Sequence, residues 1–298
     1  MEQNLDAIMK QIIVSKNYEL LLKAQQVIPN KPLGTFYHYA SKQSLLGIIE
    51  NQSMWFTDYR YLNDPNEGKV VSRVFNKVVK ELKQSGLITD HQFELIRYAK
   101  PYNPDAPLFF LDYLGNRRNA VRSFYVASFS KKKDELALWS FYSQKSGCNI
   151  CFTSSDFKRD HLEYIEIIYD EDKQKQIITD LVLSLLDNEL DSNDEYVVLY
   201  ALREQLTRLM LMFKSDEFSF EQEVRVVYSG DVERSDVKYR IRDEFIIPYI
   251  SIPLNKMRFD VLCSPLNKDK RIMDGITHLI QTRGFDGSAK ESKIKLRY

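Results

Sequence analysis

The sequence contains few cysteines, and their number argues against a disulfide framework. Three cysteines in 298 residues cannot all pair within one chain, so we expect reduced thiols. Cys148 and Cys151 have the spacing of half a zinc site, but no second pair follows them. In a strand their sulfurs would also point to opposite faces. The sequence therefore favours buried structural thiols over a zinc site or a redox pair.

Several other signatures are missing. The four histidines are scattered without His-x-x-x-His spacing, which argues against a histidine-rich metal centre. No apolar run approaches the roughly 20 residues that span a bilayer, and the N-terminus does not resemble a signal peptide. The sequence also has no Gly-rich loop of the Rossmann or P-loop type. We therefore expect a cytoplasmic protein that binds no membrane and uses neither of these two nucleotide-binding folds.

Charge and apolar content indicate a globular domain without a preferred polyelectrolyte partner. Forty-two basic residues balance 42 acidic ones, so no global field attracts nucleic acid or anionic membrane. Apolar residues make up 44% of the chain, which is enough for a substantial core.

The most informative stretch is Phe218–Tyr228, whose side chains alternate with a period of two. A strand there would place Glu221, Glu223 and Arg225 on one face, with the two glutamate α-carbons about 6.6–6.8 Å apart. Both carboxylates would then reach one bound molecule as an acid/base pair. The alternative is a solvated face on which Glu223 and Arg225 offset each other's charge.

The pattern of short strands between helices predicts an α+β fold with a mixed, mainly antiparallel sheet and peripheral helices. We predict an N-terminal helical appendage at 1–30 and a single domain at 31–298, with a helical hairpin inserted at about 170–214. The predicted strands are 35–40, 54–57, 123–130, 149–153, 218–228, 237–242, 246–252, 260–264 and 293–297. The predicted helices after the appendage follow Ser41 and Asp64, span 135–142, 172–190, 195–213 and 269–282, and include one or two within 89–119.

Helix caps explain several polar residues without any functional role. Asp64 and Glu67 form a predicted capping box around Pro65, at the start of a helix with a long valine-rich face. Asp134 is predicted to cap the helix that carries Trp139.

Four separated motifs share an order and approximate spacing. They are Tyr37-His38-Tyr39 with Ser41, Trp55–Asp58 through Asn63-Asp64-Pro65 and Glu67-Gly68, Ser128-Phe-Ser130 through Asp134 and Leu138-Trp139 to Tyr142, and Phe220-Glu221-Gln-Glu223-Val-Arg225. Together they resemble a bacterial family of domains of unknown function, and Ser292–Tyr298 resembles the closing strand of that family, so the resemblance covers about residues 34–298. The layout of these motifs is similar to that of ADP-ribosyltransferases, and relatives occur among bacterial toxins and antiphage systems.

The resemblance implies roles for residues of three of these motifs, with NAD as the substrate. His38 would bind a ribose hydroxyl, and Ser128 or Ser130 would support the nicotinamide site or the catalytic glutamate. Glu223 would be that catalytic residue, because a carboxylate beside the ribose stabilises the positive charge that forms as nicotinamide leaves. Glu221 would orient or deprotonate the acceptor.

The remaining predicted cofactor-binding residues are aromatic or basic. One of Tyr37, Tyr39, Trp139 and Tyr142 would stack on the nicotinamide ring. Arg225 is also predicted to bind the cofactor.

The expected function is transfer of ADP-ribose from NAD to a protein or nucleic-acid acceptor, as a toxin or antiphage effector. A non-catalytic nucleotide-sensing or interaction module is an alternative, in which the helical hairpin docks a partner. A metal-dependent nuclease built from Asp64, Glu67, Glu221 and Glu223 is another.

Overall fold

The computed structural model describes residues 34–62, 68–97, 99–101, 120–186 and 192–295. The predicted appendage at 1–30, the capping box at 64–67 and the end of the chain therefore lie outside the described residues. Among the described residues, no helix has both the length and the apolar character to cross a bilayer.

The fold is α+β, because it combines helices with a sheet that is mainly antiparallel. The strands are β1 Phe36–Ala40, β2 Ser53–Asp58, β3 Ala120–Arg122, β4 Tyr125–Ser130, β5 Cys148–Phe152, β6 Leu162–Glu166, β7 Glu223–Tyr228, β8 Asp231–Glu233, β9 Lys238–Arg242, β10 Phe245–Pro253, β11 Arg258–Cys263 and β12 Asp286–Glu291. The helices are α1 Lys42–Asn51, α2 Lys69–Gln84, α3 Asp90–Ile96, α4 Leu136–Tyr142, α5 Glu171–Leu186, α6 Ser192–Met210 and α7 Lys270–Thr282.

The main sheet is mixed and mostly antiparallel, as predicted. Its strand order is β12-β11-β5-β1-β4-β2-β10-β9, and β7 with β6 joins along the other edge of β4. Among its described strands, β11 and β12 are the one parallel pair. Short β3 and β8 form a separate pair.

The two faces of the sheet differ in chemistry because side chains alternate along each strand. One face, here called the apolar face, carries Phe36, Phe129 and Val224, and α1 and α7 pack their buried side chains into the same core. The other, here called the polar face, carries Ser130 and Glu223 among others, since these residues are cross-strand partners. The candidate functional residues are divided between these two faces.

The chain forms two compact units. The sheet unit comprises the described residues of 31–63, 108–166 and 218–298, and the helical unit those of 64–107 and 167–217. The helical unit contains the predicted hairpin, as α5 and α6, and also α2 and α3. The buried face of α2 matches the valine-rich face predicted for that helix: Val70, Val71, Val74, Phe75, Val78, Val79 and Leu82.

The structure corrects the predicted strand at 218–228. Asp216–Glu221 is a 3-10 helix, and β7 begins only at Glu223. Gln222 has a φ of 42°, so the backbone turns between the two segments. Glu221 therefore does not share a strand face with Glu223, and the predicted spacing of their α-carbons does not apply.

Two further predictions near α4 and the C-terminus are wrong. The N-cap of α4 is Glu135, and the Asp134 carboxylate instead accepts hydrogen bonds from the Trp139 indole and the Ser292 hydroxyl at 2.8 Å. The last described strand is β12, and the described residues of the predicted strand 293–297 are not extended ladder residues.

Phe129 packs among several rings on the apolar face, so a substitution at this position tests the packing of the core. Its ring centroid is 4.8 Å from that of Phe36 and 5.4 Å from that of Phe152. Because the Phe129→Ala change leaves a cavity, we expect it to lower the free energy of unfolding by about 3–5 kcal/mol in urea titrations. Phe245 is 64% exposed, so Phe245→Ala should change it by less than about 0.5 kcal/mol. Similar losses for the two variants would contradict this core assignment.

Candidate functional site

The three strands that carry the predicted motifs lie side by side, in the order β1-β4-β7. Tyr37 pairs with Ser130, and Ser130 pairs with Glu223 on the next strand. Directly paired residues project from the same face of a sheet, so these three side chains form one row on the polar face. Ser128 and Arg225 form the adjacent row on that face.

His38 does not belong to this row. Strand alternation points it to the face opposite Tyr37, and its ring centroid lies 5.5 Å from that of Phe129 on the apolar face. The motif layout predicted that His38 and Glu223 face one shared cleft. The structure instead directs their side chains to opposite faces of the sheet. Tyr37, which the sequence suggested only as a stacking residue, is the β1 side chain that faces Glu223 across Ser130. Only the register between strands reveals this, and a single strand's pattern does not encode register.

His38 instead lies where the sheet opens between β1 and β2. The ladder joins β4 to β1 only at Tyr37–Ser130, and to β2 only at Thr57–Val126 and Asp58–Tyr125. The imidazole Nδ1 lies 3.0 Å from the Ser128 carbonyl oxygen in this opening. Because a carbonyl only accepts, Nδ1 carries the proton and Nε2 keeps a lone pair.

The surroundings of His38 keep its ring neutral. Burial lowers the pKa of His38, the hydrogen bond to Ser128 raises it in part, and the charge of Arg240 lowers it again. Nε2 is therefore a hydrogen-bond acceptor at neutral pH.

Glu223 is held by an ion pair within its own strand. The Arg225 Nε donates to Glu223 Oε1 at 2.9 Å and Nη2 donates to Oε2 at 3.1 Å. Glu223 is 6% exposed and Arg225 is 1% exposed, so the solvated face suggested as an alternative is wrong, although the mutual compensation of charge is confirmed. The two-pronged contact fixes the carboxylate in one orientation.

Glu221 is also buried, and its hydrogen bonds link it to Tyr142 and to Ser130. The Tyr142 hydroxyl donates to Glu221 Oε1 at 2.5 Å, and the Ser130 hydroxyl donates to the Glu221 carbonyl oxygen at 2.5 Å. Glu221 is 4% exposed, whereas Tyr142 is 36% exposed. Tyr142 therefore connects a buried carboxylate to the surface.

Aromatic side chains lie beside Glu221. The Phe141 ring centroid lies 5.9 Å from that of Phe220 and 6.5 Å from that of Tyr142. Phe220 and Tyr37 are half-buried and pack against the cluster of Tyr39 and Trp139 with two leucines. This arrangement presents partly exposed rings next to the Glu221 carboxylate.

Tyr39 positions the start of α4. Its hydroxyl donates to the Lys132 carbonyl at 3.0 Å and accepts from the Glu135 amide at 3.1 Å, and its ring packs edge-on against Trp139. The Tyr39 hydroxyl therefore both donates and accepts a hydrogen bond within the protein. Its contact with a cofactor stays a prediction.

Acidic residues of the described chain do not assemble as a metal centre. Within the described ranges, no group of three or more His, Cys, Asp or Glu side chains is arranged to hold an ion. Asp64 and Glu67, which the nuclease alternative needs, lie outside those ranges. The described residues therefore lend that alternative no support.

Residues 138–226 match the model of a family described as "Protein of unknown function (DUF2971)". The matched segment runs from α4 to β7 and contains Glu221, Glu223 and Arg225, but neither His38 nor Ser128. The match supports the resemblance to a family of domains of unknown function, while the likeness to ADP-ribosyltransferases stays a prediction. We found no match to the chain among curated proteins or solved structures.

The Glu223–Arg225 pair has a matched control on the same sheet. Because Glu223→Gln removes the carboxylate that pairs with a buried arginine, it should lower the free energy of unfolding by about 3–5 kcal/mol in urea titrations. Arg258 and Asp260 have the same spacing on β11 and pair at 2.8 Å, but their side chains are 65% and 44% exposed. Asp260→Asn should therefore cost no more than about 1 kcal/mol. Equal costs for the two variants would contradict the buried pair.

The lowered pKa of His38 predicts a dependence of stability on acid. The unfolded chain binds a proton below about pH 6.5, whereas folded His38 binds it only at lower pH, so stability should fall as the pH drops through this window. One such group contributes a slope of at most about 1.4 kcal/mol per pH unit. His38→Gln should remove that slope from unfolding data collected between pH 7 and 5. Removing the exposed imidazole with His278→Gln should leave the slope in place. An unchanged slope in His38→Gln would contradict the neutral ring.

Proposed function

We propose that the protein is an ADP-ribosyltransferase-like enzyme that transfers ADP-ribose from NAD to a protein or nucleic-acid acceptor. The observation that carries the proposal is the row of Tyr37, Ser130 and Glu223 on three neighbouring strands. In the resemblance these strands carry the first, middle and glutamate motifs, and the sheet places them in that order without intervening strands.

The chemistry of the transfer fits the groups in this row. When the bond between nicotinamide and ribose breaks, nicotinamide leaves with the electron pair and positive charge develops at the anomeric carbon. The Glu223 carboxylate would stabilise that charge, and Arg225 holds the carboxylate in one orientation. The acceptor then forms the new bond to the anomeric carbon and loses a proton.

Glu221 and Tyr142 would serve the acceptor side of the reaction. Their hydrogen bond ends at a half-exposed phenol, so an acceptor proton has a path to the Glu221 carboxylate. Phe141 is 70% exposed and Phe220 half-buried, and their rings offer apolar surface to the nicotinamide. In this arrangement His38 is not a ligand of the ribose beside Glu223.

Nicotinamide release tests the proposal. Purified protein incubated with labelled NAD and cell extract should release nicotinamide and label an acceptor. Glu223→Gln should reduce kcat/KM about 100-fold or more, because an electrostatic partner of the developing charge is lost. Tyr142→Phe should reduce it less, since the ring and both carboxylates remain.

The controls separate chemistry from folding. Glu217→Gln removes an exposed acid from the first turn of the 3-10 helix Asp216–Glu221 and should leave turnover unchanged. Each variant should be assayed at least 10 °C below its own Tm, measured by circular dichroism. Wild-type protein that neither releases nicotinamide nor binds NAD in calorimetry would refute the proposal.

A second candidate is a non-catalytic module that binds a nucleotide. Both carboxylate oxygens of Glu223 accept from Arg225, and this full engagement favours a structural role for the pair. Such a module would bind NAD without releasing nicotinamide, and Glu223→Gln would retain the binding at temperatures where it stays folded.

A further inference from the structure

Arg240 on β9 lies on the polar face, among side chains that do not neutralise it. Its Nη2 donates to the Thr57 hydroxyl oxygen at 2.8 Å, and its guanidinium carbon lies 5.6 Å from the ring centroid of Trp55 and 6.0 Å from that of Tyr249. Strand pairing explains the cluster, because Tyr249 pairs with Thr57 and Ile247 pairs with Arg240. Three neighbouring strands thus place one guanidinium beside a pair of aromatic rings.

The hydrogen-bonding capacity of Arg240 is largely unused. Its Nε is buried without an acceptor, and Nη2 makes the one hydrogen bond found for this side chain among the described residues. A guanidinium has five N–H donors, and a buried donor without an acceptor costs about 1–3 kcal/mol. The Thr57 hydroxyl accepts from Arg240 and still has its own hydrogen to donate. The free donors of Arg240 and Thr57 could therefore bind a group that carries several acceptor oxygens, such as a phosphate.

Within the described part of the chain, the charge of Arg240 is also not compensated by a carboxylate. No carboxylate of the described residues lies within ion-pair distance of it, and burial followed by the charge of Arg242 lowers its pKa. Lys238 and Arg242 are two residues away on either side and therefore project from the same face of β9. Cation–π contacts with Trp55 and Tyr249 hold the guanidinium in place, but they add no negative charge. The cluster is therefore complementary to an anion.

Trp55 adds a surface on which a planar group can stack. Its side chain is 46% exposed, and its ring centroid lies 4.5 Å from that of Tyr249, which supports it from one side. Trp55 stands on β2 two residues before Thr57, so it projects from the same face as the hydroxyl. A ligand with both a phosphate and an aromatic base matches this combination of an arginine, a hydroxyl and an open indole ring.

We propose that Arg240, Thr57 and Trp55 form a subsite for a nucleoside diphosphate. The guanidinium and the hydroxyl donate hydrogen bonds to the phosphate oxygens, and the indole stacks on the base. Ser128 connects this subsite to the row of Tyr37, Ser130 and Glu223, because it is exposed and lies on the same face two residues before Ser130. Binding of the diphosphate rests on the cluster alone, whereas its identity as the ADP part of NAD rests on the proposed function.

Calorimetry with two probes tests the subsite in the full-length protein. Inorganic pyrophosphate and ADP should both bind the wild type, and Arg240→Gln should weaken both at least tenfold. Arg234→Gln is the matched control, since it removes the same charge from the exposed 3-10 helix Arg234–Asp236, and it should change binding less than twofold. Trp55→Ala should weaken ADP more than pyrophosphate, because only ADP has a base to stack. Equal binding by Arg240→Gln and wild type, or no binding of either probe at millimolar concentration, would overturn the subsite.

A second measurement avoids any dependence on the folding of the variant. Phenylglyoxal modifies exposed arginines, and peptide mass spectrometry of the treated wild type should show Arg240 protected by pyrophosphate and Arg234 not protected. Unprotected Arg240 would refute the subsite.

The two proposals fail in different ways. ADP binding that depends on Arg240, in a protein that releases no nicotinamide, would uphold the subsite and refute the transferase. Nicotinamide release with the same KM for NAD in Arg240→Gln and wild type would uphold the transferase and refute the subsite.

Discussion

The hydrogen bonding of β4 determines where every candidate functional group lies. One edge of this strand pairs with β7 along its whole length, while the other edge is shared by β1 at one end and β2 at the other. The full pairing fixes Glu223 and Arg225 beside Ser130 and Ser128. The shared edge leaves an opening in which the His38 imidazole replaces a ladder partner of Ser128.

The two buried carboxylates near β4 are each held by a described hydrogen-bond donor. The Glu223 carboxylate is compensated by Arg225, and the Glu221 carboxylate by a phenol that reaches the surface. Arg240 is the contrasting case, since its nearest side chains are a hydroxyl and two rings. The face therefore holds buried carboxylates at one end and, at the other, a cation that has no carboxylate partner among the described residues. A dinucleotide has the matching distribution, with a cationic nicotinamide and an anionic diphosphate.

Much of the fold was predictable, because local patterns determine where most elements form. The buried face of α2, the bounds of β1, β4 and β10 within about two residues, and the mainly antiparallel sheet all follow from apolar periodicity. The first half of the strand predicted at 218–228 failed because an alternating pattern does not report a backbone turn at Gln222. The candidate site was only partly predictable: its residue types were visible in the motifs, but register decides that Tyr37 rather than His38 faces Glu223. Arg240 was missed because its partners come from β2 and β10, which no local pattern links to β9.

The central claim is that one NAD molecule lies along the polar face, from Glu223 past Ser128 to Arg240. A crystal structure with a non-hydrolysable NAD analogue tests it most directly. The account predicts the nicotinamide ribose within hydrogen-bonding distance of the Glu223 carboxylate and the diphosphate on the Arg240 guanidinium. An analogue bound on the apolar face, or no bound analogue at millimolar concentration, would contradict it.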